Sequence, residues 1–232
     1  MLPMIPILSG IIVGHGAQMT RRHALGLSVV YVLATAGNGK TLVARHFFDQ
    51  CLDRGQRPLL LCFNRPLAER LKRLVAPGGV VLTWYGFCDR FLQSRGITLP
   101  FDTLSTVPDF WAKAARQVEE QALANTLPDD WRFDTLIIDE AQDFEGDWFE
   151  AVRLFLREDA AVLWLEDPHQ NVRGIDAVAL QRQGFVGYRS LLNYRSPERI
   201  AQVINAVLPE LPFTCANDLP GLGVGTSFYG EP

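Results

Sequence analysis

The sequence predicts an α/β domain in which a parallel sheet carries helices on both faces. Short apolar runs rich in β-branched and aromatic residues alternate with helical patterns between residues 27 and 208, and this alternation is typical of parallel sheets. The runs are apolar throughout, as expected of strands that are buried on both faces. With 232 residues and 48% apolar content, the chain is long enough for one such domain with a short appendage.

The first half of the domain contains three predicted pairs of a strand and a helix. The strands lie at 29–34, 58–63 and 80–84. Gly55 ends the first helix, in which apolar residues recur at every fourth position. Asn64 is placed to cap the second helix, and a third helix is expected near residues 87–93. This half therefore has the order of elements that a parallel sheet requires.

The second half repeats the pattern after an insertion. A mostly helical insertion interrupted by prolines occupies about residues 94–131. Strands are then predicted at 134–139 and 161–166, with a helix at 147–156 between them. A last helix is predicted with Ser196 as its N-cap and Pro197 at its first position.

Both ends of the chain depart from this pattern. Residues 1–26 form an atypical N-terminal segment, and residues 209–232, which are rich in proline and glycine, are predicted to be a connector. The N-terminal segment is apolar but contains two prolines and has no basic residue before its apolar run, so we expect neither a signal peptide nor a membrane partner. The four cysteines have no metal-ligand spacing, which favours reduced thiols in a cytoplasmic protein.

Charge is distributed unevenly along the chain. The formal net charge of −4 and the pI near 5.6 give no overall reason to expect nucleic-acid binding. Residues 54–95, however, carry eight basic and two acidic side chains, whereas residues 134–167 carry eleven acidic and two basic ones. These segments are either ordinary solvated surfaces, or one surface for a polyanion and another for a cation.

The segment ATAGNGKT is a candidate phosphate-binding loop. It lies between a predicted strand and a predicted helix, and it departs from the usual pattern only in its first residue, which is alanine in place of glycine. Main-chain N–H groups of such a loop surround phosphate oxygens, the lysine reaches the β- and γ-phosphates, and the threonine hydroxyl binds Mg²⁺. A chance glycine-rich turn is the alternative. The residues expected to hold the nucleotide are Ala34, Gly37, Asn38, Gly39, Lys40 and Thr41.

The segment DTLIIDEAQDF provides carboxylates for the same site. Its predicted strand ends in Asp139 and Glu140, and the C-terminal ends of parallel strands open on one crevice. Asp139 would hold Mg²⁺ together with Thr41, either directly or through water, and Glu140 would orient and deprotonate an attacking water molecule. Acidic residues that only keep a strand end soluble are the alternative, which the phosphate loop upstream disfavours.

Together these segments resemble superfamily I DNA helicases of the UvrD/Rep type. DEAQD resembles their Walker B motif, and its Gln142 is expected to contact the nucleotide. LLLCFNRPLAERL, VLTWYGFCDRF, LWLEDPHQNVRG and LLNYRSPERI resemble, in this order, motif Ia, the T-F-H-x-F motif, motif III and motif IV. The match covers about residues 29–208 and is specific through the order of its motifs. It implies a RecA-like P-loop NTPase domain that binds ATP and Mg²⁺ and hydrolyses ATP.

The resemblance also implies roles for individual residues. Gln170 falls on the motif III glutamine that senses the γ-phosphate, and Arg195 falls on the motif IV arginine that reaches it. Single-stranded DNA, with RNA as the other candidate, would bind through motif Ia and the motif after it. The residues implied there are Phe63, Asn64, Arg65, Thr83, Trp84 and Tyr85. Trp84 ends a predicted buried strand, and its alternative interpretation is a core residue.

Two hypotheses of function follow. The first is ATP binding and hydrolysis coupled to single-stranded DNA, as the first motor domain of a superfamily I helicase. Family members have a second RecA-like domain, toward which residues 209–232 would lead, and we expect no unwinding by this chain alone because translocation needs two lobes. The second is a non-motor ATP-dependent switch or a nucleic-acid-binding remnant. A small-molecule kinase is disfavoured, since no segment resembles a lid with several arginines.

Overall fold

A six-stranded parallel sheet forms the centre of the described chain, which in this computed structural model comprises residues 28–34, 36–99, 110–207, 214–223 and 225. The strands are β1 (Ser28–Ala34), β2 (Pro58–Cys62), β3 (Val80–Thr83), β4 (Phe133–Asp139), β5 (Leu156–Glu166) and β6 (Val186–Ser190), with a separate parallel pair of β7 (Leu192–Asn193) and β8 (Thr214–Cys215). Within the six-stranded sheet the order is β3-β2-β4-β5-β1-β6. The helices are α1 (Lys40–Asp53), α2 (Arg65–Leu74), α3 (Trp84–Ser94), α4 (Phe110–Ala124), α5 (Gly146–Arg153) and α6 (Glu198–Val207).

Helices cover both faces of the sheet, because each strand places alternate residues on opposite sides. In β2, Leu59 and Leu61 belong to one core cluster, whereas Leu60 and Cys62 belong to the other. Helices α3, α4 and α5 contribute buried residues to the first cluster, and α1 and α2 contribute to the second. The predicted α/β fold, with a parallel sheet between two helical layers, is confirmed.

Three predicted boundaries are wrong, by one to five residues. Strand β3 ends at Thr83 and not at Trp84, because the Thr83 hydroxyl accepts a hydrogen bond from the N–H of Gly86 at 3.0 Å and so caps α3. Helix α5 ends at Arg153, and β5 begins at Leu156 instead of at residue 161. An apolar run suits either element, and here Leu156 pairs with Phe133 of β4 and lengthens the strand.

The C-terminal part of the domain also differs from the prediction. Helix α6 begins at Glu198, and the carbonyl of Pro197 accepts from the N–H groups of Ile200 and Ala201 at 3.0 and 3.1 Å. The predicted connector contains β8, which pairs with β7 and so attaches the described residues after 213 to the domain. The predicted N-terminal segment, residues 1–26, lies outside the described residues.

The four cysteines are free thiols. Cys51, Cys62 and Cys88 are buried, and Cys215 is partly exposed. Burial, followed by repulsion from Asp139, raises the pKa of Cys62 to about 12, which keeps this thiol protonated and unreactive near neutral pH.

Candidate nucleotide-binding site

In the described part of the loop between β1 and α1, two glycines adopt a left-handed backbone conformation. Gly37 and Gly39 have positive φ angles of 79° and 95°, a region that strains residues with a Cβ. At Gly37, a Cβ would also lie 2.7 Å from Oδ1 of Asn193. Gly39 is the N-cap of α1, so the first N–H groups of this helix lie at the loop, where they favour an anion.

Lys40, the lysine of this loop, is buried with 6% of its surface exposed. Its Nζ donates to the carbonyl of Ala34 at 2.7 Å and lies 3.5 Å from Oδ2 of Asp167. Asp167 directly follows β5, the strand beside β1, and is 1% exposed. The ammonium group is thus held at the strand ends by a main-chain oxygen and a buried carboxylate.

The two predicted metal ligands, Thr41 and Asp139, are brought together by α1 and β4. Thr41 Oγ1 donates to Oδ2 of Asp139 at 2.9 Å. Burial, followed by repulsion from Glu140, raises the pKa of Asp139 from 3.8 to about 6. Hydroxyl and carboxylate oxygens suit Mg²⁺, whose remaining ligands in nucleotide sites are phosphate oxygens and water. The described residues contain no cluster of three or more His, Cys, Asp or Glu that would hold a metal ion without such help.

The raised pKa of Asp139 predicts a pH dependence of stability. Between pH 3.8 and about 6 the folded chain takes up a proton at this carboxyl that the unfolded chain does not. The folded state is therefore penalised as the pH rises through this window, by about 3 kcal/mol above it. We expect Asp139→Asn to raise the free energy of unfolding by up to about 3 kcal/mol near neutral pH and to change it little at about pH 4.

Urea denaturation in EDTA at both pH values measures this effect. Asp147→Asn, which removes an exposed carboxylate in the first turn of α5, is the matched control and should not stabilise the fold. If Asp139→Asn stabilised the fold equally at both pH values, the gain could not come from removing a buried, ionised carboxylate, and the prediction would be wrong.

Glu140, the expected general base, is held by Gln142. Among the described residues, Glu140 is the only one other than glycine with a positive φ, 55°, and such strained conformations cluster at functional sites. Gln142 Nε2 donates to Oε2 of Glu140 at 2.9 Å, and Gln142 Oε1 accepts from the N–H of Asp167 at 3.0 Å. Gln142, which the sequence assigned to nucleotide contact, therefore connects the ends of β4 and β5.

Gln170 lies in the helical turn Pro168–Gln170 that follows β5. Its Nε2 donates to Oδ2 of Asp167 at 2.7 Å, the same oxygen that lies 3.5 Å from Lys40 Nζ. The expected γ-phosphate sensor and the loop lysine thus meet at one carboxylate oxygen. Sequence analysis missed Asp167, although its place at the end of a buried strand, like that of Asp139, is a usable signal.

Asn193 connects the phosphate loop to the segment that carries Arg195. Its Nδ2 donates to the carbonyl of Ala36 at 2.7 Å, and its Oδ1 accepts from the N–H groups of Arg195 and Ser196 at 2.9 and 2.7 Å. The backbone of Arg195 is therefore fixed beside the loop, and its side chain is exposed. Sequence analysis missed Asn193 because its partner Ala36 is 157 residues away, and no local pattern marks such a contact.

We expect Asn193→Ala to lower the free energy of unfolding by about 2 to 4 kcal/mol, because it removes three hydrogen bonds from a buried position. Urea denaturation measures the loss. Asn171→Ala is the matched control, since the side chain of Asn171 bonds only locally, to both main-chain groups of Ile175, and should cost about 1 kcal/mol or less. Equal losses in the two variants would contradict a connecting role for Asn193.

The side chain of Asn38 holds the loop against neighbouring strands. Its side chain is 2% exposed and donates to Oγ of Ser190 at 2.6 Å and to the carbonyl of Leu192 at 2.5 Å. These bonds attach the loop to β6 and β7. The side chain is therefore structural, and any contact between Asn38 and a phosphate is left to its backbone.

Trp84 is a correction to the candidate nucleic-acid residues. It is 0% exposed and stacks on Phe87 and Trp148, with ring centroids 5.9 and 5.5 Å apart. An indole enclosed in this way cannot stack on a base. The core interpretation of Trp84 is therefore the correct one, and its neighbour Thr83 uses its hydroxyl to cap α3.

The other candidate nucleic-acid residues lie after β2 and at the start of α3. Phe63 and Tyr85 are half-buried and form a T-shaped contact with centroids 5.8 Å apart. The guanidinium of Arg173 lies 4.3 Å from the centroid of the Phe63 ring, a contact that the sequence did not predict. Asn64 Oδ1 accepts from the N–H of Leu67 at 2.8 Å and caps α2, as predicted. Of the candidates, Asn64 and Arg65 are exposed.

The sheet and the site together show that the chain has a P-loop NTPase fold. A glycine loop joins β1 to α1, and its lysine and threonine lie beside carboxylates at the ends of two neighbouring strands, β4 and β5. The strand-loop-helix setting is the one that this class of protein requires.

Two solved structures show similarity at a low level. AMPPCP-bound DnaA from Aquifex aeolicus matches with a TM-score of 0.36 and 16% identity, over 80% of this chain and 47% of that one. A DNA replication initiation factor matches with a TM-score of 0.36 and 15% identity, over 80% of this chain and 46% of that one. The chain thus spans less than half the length of either structure.

Sequence comparisons do not assign a family. No curated protein matches the chain. A family model described as the cytochrome C biogenesis protein transmembrane domain matches residues 1–43, well under half of the chain. The described part of that match is β1, the phosphate loop and the first residues of α1. Within the described residues, every helix is too short or too polar to cross a membrane.

Proposed function

We propose that this chain binds ATP with Mg²⁺ and hydrolyses it. The observation that carries the proposal is that Lys40, Thr41, Asp139 and Glu140 converge at one edge of the sheet. Mg²⁺ held by Thr41 and Asp139 would neutralise phosphate charge. Glu140 would accept a proton from the attacking water, and its bond to Gln142 keeps the carboxylate in place.

We further propose that the chain is the first motor domain of a superfamily I DNA helicase. The order of the motifs along the sequence supports this, as do the positions of Gln170 and Arg195 near the loop. Gln170 would report the γ-phosphate, and Arg195 would stabilise charge during its transfer. A second RecA-like domain would be the partner in movement, since translocation needs two lobes that close on ATP.

Single-stranded DNA, or RNA, would bind at the ends of β2 and β3. Arg65 begins α2, and other exposed basic side chains of this helix are Arg70, Lys72 and Arg73. Such side chains contact the backbone phosphates of any sequence. Cys62, three residues before Arg65, is paired in register with Asp139, so a strand bound here would lie near the candidate catalytic carboxylates.

ATP turnover with and without single-stranded nucleic acid tests both parts of the proposal. We expect Mg²⁺-dependent hydrolysis of ATP that poly(dT) or poly(U) accelerates. Binding of ATP with slow turnover and no stimulation would favour a non-motor switch instead. Absence of ATP binding would contradict the proposal altogether.

Arg65→Ala tests the strand-binding surface. It should weaken poly(dT) binding and lower the salt dependence of that binding, because one phosphate contact is lost. Arg116→Ala, at an exposed position of α4 on the other helical layer, is the matched control. If both variants weakened poly(dT) binding equally, the nucleic acid would not bind at α2.

A further inference from the structure

One carboxylate, that of Asp167, engages the two side chains proposed to bind the terminal phosphate. Its Oδ2 accepts from Gln170 Nε2 at 2.7 Å and lies 3.5 Å from Lys40 Nζ. Its Oδ1 accepts from the N–H of His169 at 3.1 Å. Because the side chain is 1% exposed, water screens its charge little.

We propose that Asp167 sets the specificity of this site by selecting against a nucleoside triphosphate relative to a diphosphate. This inference rests on the proposed function, in which Lys40 and Gln170 hold the terminal phosphate of ATP. A γ-phosphate that reaches these donors must displace Oδ2 of Asp167 or share the donors with it. Either way two anions meet in a buried site, and their repulsion opposes binding of the triphosphate.

The diphosphate avoids most of this repulsion. Its β-phosphate would be held by main-chain N–H groups of the loop, by the N-terminus of α1 and by Lys40. Gln170, which lies in the turn after β5, is not needed for that contact. Asp167 therefore acts chiefly on the γ-phosphate.

Asp167 is held in place and does not swing away freely. Its N–H donates to Oε1 of Gln142 at 3.0 Å, and Oδ1 is held by the N–H of His169 in the turn that follows. A γ-phosphate must therefore work against these bonds to move the carboxylate. The same contact with Gln142 links any such movement to Glu140, which Gln142 holds on its other side.

Asp167→Asn in the full chain tests the inference, because asparagine keeps the size of the side chain and removes its charge. Affinities are measured with a fluorescent, non-hydrolysable ATP analogue and with fluorescent ADP, both with Mg²⁺. We expect the Kd of the ATP analogue to fall about tenfold and that of ADP to change less than about twofold. An unchanged or weaker affinity for the ATP analogue, or equal shifts for both nucleotides, would overturn the inference.

Glu166→Gln is the matched control, since it makes the same change of charge one residue earlier. The Glu166 carboxylate accepts from Trp164 Nε1 at 2.6 Å and has no place in the proposed chemistry. We expect neither Kd to change in this variant. If Glu166→Gln lowered the Kd of the ATP analogue as much as Asp167→Asn does, the effect would come from net charge alone. That result would overturn the inference.

The ratio of the two nucleotide affinities in the unaltered chain is a further test, and it does not require any variant to fold. We expect it to bind the ATP analogue at most about twofold more tightly than ADP. A preference of about tenfold or more for the ATP analogue would overturn the inference while leaving the proposed function intact. Failure to bind either nucleotide would contradict the proposed function itself, and the inference with it.

Discussion

Lys40→Ala is expected to raise the Kd for Mg²⁺-ATP at least about 100-fold and to remove measurable hydrolysis. The ammonium lies at the phosphate loop, and an alanine side chain cannot reach a bound phosphate from this position. The substitution also leaves the buried Asp167 carboxylate without the ammonium group 3.5 Å away, so an incoming phosphate meets an anion instead of a cation. Both effects act in the same direction.

Loss of folding must be separated from loss of binding, because breaking a buried ion pair costs about 3 to 5 kcal/mol of stability. The double variant with Asp167→Asn removes both charges. It should recover much of the stability and the part of the ATP affinity that the unpaired carboxylate opposes, but not the part that is lost with the ammonium group. Urea denaturation measures the first quantity and nucleotide titration the second. Unchanged affinity in a folded Lys40→Ala chain would contradict the proposed nucleotide site.

Lys72→Ala is the matched control for the loss of a lysine. Lys72 lies on α2 and pairs with Glu69 at 2.9 Å, with both side chains exposed. A surface pair of this kind contributes at most about 1 kcal/mol. Measured without nucleic acid, ATP affinity and basal hydrolysis should stay unchanged in this variant. That result would exclude a general effect of reduced positive charge.

Local sequence signals predicted most of the fold. Asn64 was identified as a helix cap from residue type and spacing, and its Oδ1 accepts from the N–H of Leu67 at 2.8 Å. Thr41 and Asp139 are expected to lie together because a phosphate loop and an acidic strand end occupy the same edge of a parallel sheet. In the structure Thr41 Oγ1 lies 2.9 Å from Asp139 Oδ2. The helix cap could be predicted because it involves residues a few positions apart. The pairing of Thr41 with Asp139 could be predicted because parallel strands end at the same edge of a sheet.

The contacts that sequence analysis missed are tertiary. The Asn38 side chain bonds to Ser190 over 152 residues, and no pattern near Asn38 indicates this contact. The sequence is compatible with two roles for Trp84, stacking on a base or packing in the core, because an aromatic residue at a strand end suits either. Its burial between Phe87 and Trp148 depends on how α3 and α5 pack, which no local pattern specifies.

Glu140→Gln is expected to lower the kcat for ATP hydrolysis by about 10² to 10⁴ while leaving the Kd for Mg²⁺-ATP nearly unchanged. Glutamine keeps the length of the side chain and an oxygen that accepts from Nε2 of Gln142, a bond of 2.9 Å in the present structure. The position of the group is thus preserved, and only its ability to take a proton from water is lost. Steady-state turnover and titration with a non-hydrolysable ATP analogue measure the two quantities separately.

Glu150→Gln is the matched control, because Glu150 is exposed on α5 and bonds to Arg153 at the surface. It should change neither kcat nor Kd. A fall in affinity as large as the fall in kcat for Glu140→Gln would point to a role in binding and not in proton transfer. Full turnover in that variant would mean that another group accepts the proton. Asp139 is the other carboxylate that ends β4, and it bonds to the Thr41 hydroxyl as expected of a metal ligand. Full turnover would therefore overturn the division of roles between these two acids.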